Sequence, residues 1–216
     1  MKKLISYLII KKNDDKTLFF LQLTTLGNIA VVLVKLASAF VLPSLWFFVN
    51  GCFLTVLCVA RLFTIRDYLK IKSVPDKDQA EKTGRRNYLN NGIILIFSGA
   101  VYFCVSLYML FRTSRISMHE YMTYLTALIA FWSVGSAIYG MIKYKRDRSP
   151  VLKAAKITSF ANAMTSIVLT QVVLLNNFSQ GAEKLNIANG LTGMTVSAAI
   201  VFIGVRMIVA VRREQE

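Results

Sequence analysis

Long apolar stretches alternate with short charged ones along this chain. Six of the apolar stretches, at roughly 18–42, 44–65, 88–111, 121–142, 154–175 and 186–211, match the length of a membrane-crossing helix. A helix rises 1.5 Å per residue, so about 20 mainly apolar residues cover the ~30 Å hydrocarbon core. The pattern predicts an all-α integral membrane protein built as a six-transmembrane-helix bundle. Residues 1–17 are expected as a basic N-terminal segment and 212–216 as a short tail. Pro43 falls between the first two spans, and Pro75 and Pro150 fall in polar connections, where a missing backbone donor does no harm. The longest connection, 66–87, is rich in both signs of charge and reads as a mobile loop.

The placement of Lys and Arg orients the spans, because cytoplasmic connections are enriched in them. Lys2 to Lys16 precede the first span, and Arg61 to Arg86 attend the second connection. Lys143 to Lys156 attend the fourth, and Arg206, Arg212 and Arg213 close the chain. These groups hold 22 basic residues, against Arg112, Arg115 and Lys184 on the other side, with Lys35 inside the first span. The split predicts that both termini are cytoplasmic and that the outer connections are short. A multi-pass protein of the cell membrane follows, with no folded soluble domain on either face.

Composition sharpens this picture. Apolar residues make up 55% of the 216 and charged residues 17%, which excludes an ordinary soluble domain. The net charge of +15 lies between apolar runs rather than along an amphipathic face. It therefore points to anionic lipid at the cytoplasmic surface and not to nucleic acid. Cys52, Cys58 and Cys104 lie in apolar stretches without metal-ligand spacing and read as buried small hydrophobes.

Ionisable residues are costly in hydrocarbon and mark function where they occur. Here every acid lies in a connection, at a span end or in a tail, and the one histidine, His119, sits at the mouth of the fourth span. A divalent cation shedding its water needs carboxylate, imidazole or thiolate ligands, and the spans offer almost none. They hold neutral polarity instead, including Asn28, Asn50, Asn91, Ser133, Ser159, Asn162, Ser166, Gln171 and Asn189. Hydrogen-bonded contact between helices accounts for such residues, and a polar path for a solute is the sharper alternative. Pairs such as Gly135 and Gly140, or Gly190 and Gly204, are expected at close helix contacts. Lys35, seven residues from the end of its span, is expected to extend its ammonium to the outer surface.

The stretch AIYGMIKYKRDRSPVLKAAKITSFANAMTS resembles the cation diffusion facilitator family, six-helix efflux proteins that exchange divalent metals for protons. A basic turn is followed there by Ser-Pro and by a helix with spaced Ala, Asn and Ser. Weaker collinear matches are Asn28 to Lys35 with Asn50-Gly51, GRRNYLNNGIILIFSGAVYF, and NGLTGMTVSAAIVFIGVRMI. The resemblance implies a shared bundle and a possible homodimer. It also implies paired Asp or His residues on the second and fifth helices, but the matching positions on the fifth are Thr158 and Asn162, and around Asn50 none is present. The family's soluble metal-binding domain has no counterpart in this sequence.

The expectation is thus a degenerate transporter-like protein or partner subunit, with no cofactor and no metal site. Asn28, Lys35, Asn50, Thr158, Asn162 and Ser166 are the candidates to line a substrate path. A divalent-cation exporter with unusual ligands is the first alternative. A membrane enzyme is the second, and it is disfavoured because NGCFLTVLCVARLFTIRD only echoes a head-group transferase and lacks its carboxylates.

Overall fold

The computed structural model describes residues 19, 22–23, 25–37, 45–73, 76–111, 120–143, 149–178 and 182–213. They form α1 (Thr25–Ala37), α2 (Leu45–Ser73), α3 (Lys77–Phe111), α4 (Glu120–Lys143), α5 (Pro150–Phe178) and α6 (Ala182–Arg213). The described residues are all-helical. α2 to α6 are each long and apolar enough to cross a membrane, which fits an integral membrane protein. The first expected span is described mainly over α1, a shorter apolar helix. Residues 1–18, Pro43, Pro75, His119 and 214–216 lie outside the described residues.

The helices run past the apolar spans into charged sequence, and this corrects the expected loop at 66–87. α2 continues to Ser73 and α3 starts at Lys77. Lys, Arg, Glu and Gln are good helix formers, so a helix already nucleated in the apolar span propagates through them. Lys70 and Lys72 occupy the last turn of α2, where positive charge offsets the helix dipole. Asp76 caps α3, its Oδ1 accepting from Asp78 N at 3.0 Å and its backbone oxygen from Ala80 N at 3.1 Å. One turn on, Arg85 and Glu81 form an ion pair at 2.8 Å. Pro150, expected in a connection, is the first residue of α5, where its lack of an N–H leaves no bond unmade.

α5 lies at the centre. Ala154, Ala161, Val168, Leu169, Val172 and Val173 are all at most 1% exposed and pack with Phe53 and Leu57 of α2, Leu95 and Tyr102 of α3, and Ile200 and Met207 of α6. The Phe53 and Tyr102 rings meet edge to face, with centroids 5.5 Å apart. α4 packs along α5 yet leaves Phe131 and Trp132 outward, and α1 rests on α2 through Val32 against Leu54 and Cys58. Of the three thiols only Cys58 is buried; Cys52 and Cys104 face outward on their helices, because α2 and α3 turn those positions away from the core.

The tightest helix contact is between α3 and α6. A Cβ on Gly204 would meet Gly92 O at 2.8 Å and Ile96 N at 3.1 Å, and one on Gly99 would meet Val201 at 2.9 Å. The backbones can approach this closely only because these residues have no side chain. Gly190 likewise sits against Leu110. Gly135 and Gly140 make no such contact, since nothing lies within 4 Å of either Cβ position, so the expected packing role does not hold for them.

Gly204→Leu is therefore expected to destabilise the protein by at least about 1–3 kcal/mol, the scale of overpacking a filled interior. Gly135→Leu should change stability little. Equilibrium unfolding in mixed micelles measures both, and equal effects would mean that the α3–α6 contact is not specific.

Candidate functional site

Buried polar side chains link the helices in pairs. Between α2 and α3, Asn91 Nδ2 donates to Thr64 Oγ1 at 3.1 Å, Asn87 Nδ2 to Asp67 Oδ2 at 2.7 Å, and Asn50 Nδ2 to Tyr102 Oη at 3.2 Å. Asn91 Oδ1 lies 3.3 Å from Thr158 Oγ1, which brings α5 into the same network. Asn162 Nδ2 donates to Ser133 Oγ at 3.2 Å between α5 and α4, and Gln171 Nε2 to Thr192 Oγ1 at 2.9 Å between α5 and α6. Most of the neutral polarity in the spans thus serves as contact between helices, which is the simpler of its two expected roles.

One region differs. A cavity of about 770 Å³ lies among α1, α2, α4 and α5. Asn28 and Val31 of α1 wall it, with Arg61 of α2, with Ile129, Trp132, Ser133, Ser136 and Gly140 of α4, and with Lys156, Ser159, Asn162 and Ser166 of α5. Among the described residues, the lining includes no acidic residue, cysteine or histidine. Arg61 is 3% exposed and its Nη2 donates to Ser159 Oγ.

Arg61 was not a candidate in the sequence. Its place near the end of the 44–65 span counted it with the cytoplasmic connection, whereas α2 continues beyond it and turns it inward. The available signal was its position inside the apolar stretch, four residues before the expected end. Lys156 is hidden in the same way by its place near the start of the 154–175 span.

The six candidates separate. Asn28, Asn162 and Ser166 line the cavity. Asn50 is 1% exposed but turns to Tyr102, and Thr158 turns to Asn91, so neither joins Asn162 at the cavity. Lys35 is 6% exposed and does not line the cavity; instead of extending to a surface, its side chain is enclosed where α1 packs on the bundle. Among the described residues no three His, Cys, Asp or Glu side chains are grouped to hold a metal ion. Compared with known proteins, the chain matches no family model and no curated protein.

The network at Asn91 is open to a direct measurement. A double-mutant cycle of Thr64→Ala and Asn91→Ala should give a coupling energy of about 0.6 kcal/mol, the average for hydrogen bonds between membrane helices, and no more than about 1.7 kcal/mol. Additive losses would show that the two residues contribute independently.

Proposed function

We propose that this chain is a multi-pass protein of the cell membrane with both termini cytoplasmic. In this reading it keeps a bundle resembling the membrane domain of cation efflux proteins, and its cavity serves a solute other than a divalent cation. It acts as a degenerate transporter or as the membrane partner of one, and it is not an enzyme. One observation carries the reading: the cavity that contains Asn162 and Ser166 also contains Arg61 and Lys156 and has, among the described residues, no carboxylate, imidazole or thiolate in its lining. A divalent cation there meets the Arg61 guanidinium and, among the described residues of the lining, no anionic ligand, which is unfavourable on Coulombic grounds alone.

The basic ends of the helices support the orientation. Lys70 and Lys72 close α2, and Arg212 and Arg213 close α6, at ends that the charge split assigns to the cytoplasm. After the native cysteines are replaced, a cysteine at Lys82 is expected to react with an impermeant maleimide only from the cytoplasmic side, and one at Lys184 only from outside. The reverse labelling would overturn the orientation.

The test of function is flux. Vesicles holding the protein and a pH probe are expected to show no zinc- or manganese-driven proton movement beyond that of protein-free vesicles. Metal-dependent flux that disappears in Asn162→Ala would sink the proposal and favour an exporter with unusual ligands.

A further inference from the structure

Among the described residues, the cavity encloses a cation that retains hydrogen-bonding capacity. Arg61 is 3% exposed, and while its Nη2 is engaged by Ser159, its Nη1 is buried without a hydrogen-bond partner. Lys156 also borders the cavity, and among the described residues the lining includes no acidic side chain. An enclosed guanidinium with an unmade bond is an unfavourable arrangement unless something else completes it, and its planar fork suits an oxyanion.

A second unmade bond lies close by. Asn162 Oδ1 is buried without a partner, while its Nδ2 is held by Ser133. Ser159 and Asn162 are three residues apart on α5 and so share one face, which places the free acceptor beside the residue that holds Arg61. The pair therefore presents a charged donor and a neutral acceptor together. A phosphate monoester in its singly protonated form is complementary, because its oxyanion accepts from Arg61 and its P–OH donates to Asn162.

Much of the remaining wall is apolar, and it opens outward. Leu26, Leu128 and Trp132 line the cavity and are 65%, 66% and 80% exposed, so among the described residues the cavity reaches the flank of the bundle between α1 and α4. In a bilayer that flank meets acyl chains. We infer that the cavity binds a phosphate monoester carried on an apolar body, with Arg61 and Asn162 on the head and the α1–α4 opening admitting the tail.

The inference rests on the proposed role of the cavity as a solute site, and binding tests it separately from flux. Full-length protein in neutral detergent, examined by native mass spectrometry and competition titration, is expected to bind dioleoyl phosphatidic acid or dodecyl phosphate one to one. Phosphatidylcholine and inorganic phosphate should bind at least ten-fold more weakly. Phosphatidic acid displacing dodecyl phosphate identifies a lipid headgroup as the source. Dodecyl phosphate binding with phosphatidic acid excluded identifies a smaller soluble phosphate.

Arg61→Gln should weaken binding at least ten-fold, and Arg66→Gln, at an exposed position of the same helix, should not. That contrast separates the cavity from general attraction of anionic lipid to basic residues. Gly140→Leu adds bulk to open cavity space while leaving the Arg61 side chain in the sequence, and it should also weaken binding; it serves if Arg61→Gln fails to fold. Binding unchanged by Gly140→Leu or by a folded Arg61→Gln, or phosphatidylcholine binding as tightly as phosphatidic acid, would overturn the inference. Zinc-driven flux instead overturns the functional reading whatever the titration gives, whereas absent anion binding without zinc flux overturns only the assignment of the ligand.

Discussion

A polar side chain inside an apolar bundle has to find its hydrogen bonds on the neighbouring helices, and Asn91 is where this protein depends on that most. Its amide nitrogen is held by Thr64 of α2, and its oxygen faces Thr158 of α5. Three of the helices that meet in the core are thereby fixed in rotation and in height at one point. Sliding α3 by a single residue would break both contacts at once. The α3–α6 contact then fixes the fourth helix by shape, since Gly92 and Gly204 fit only when they face one another. Hydrophobicity drives segments into a membrane but gives little preference among apolar helix faces within it, so these polar and small residues carry the specificity.

The same constraint explains which parts of the structure were legible in the sequence. Span length and apolar content are local properties, and α2 to α6 follow the expected spans closely at their apolar cores. The ends were less legible. A charged stretch such as 66–87 reads equally well as a loop or as a helix emerging from the bilayer, and the cap at Asp76 and the pair Arg85–Glu81 decide for the helix. Glycine spacing was a partial guide to packing: Gly190 and Gly204 sit at close helix contacts as expected, whereas nothing lies within 4 Å of the Cβ positions of Gly135 and Gly140, and Gly92 and Gly99 sit against α6 without standing out in the sequence. A glycine needed for close approach and one facing open space look alike until the partner helix is in place.

The candidate site was half legible for a related reason. Asn28, Asn162 and Ser166 could be picked out as polar residues in apolar spans, but Asn50 and Thr158 had the same appearance and serve as contacts between helices. Polarity alone marks a residue that needs partners and does not say whether the fold supplies them. Arg61 was hidden by the opposite effect. A basic residue near a span end is ordinarily at the surface, and only the course of α2 past it reveals a guanidinium turned inward.

What separates the cavity from the cluster around Asn91 is a charged donor and a neutral acceptor that both retain hydrogen-bonding capacity at one space. Thr64, Asn87 and Asn91 satisfy one another and leave no reason to invoke a ligand. Arg61 and Asn162 each make one bond within the bundle and each retain a buried atom without a partner, and both border the same space. A bundle that needed these residues only for packing has simpler solutions, because an apolar pair of similar size avoids the cost of desolvating a charge. A buried cation whose lining, among the described residues, includes no acid is thus the feature on which the proposed anion site rests, and the same charge disfavours a metal ion there.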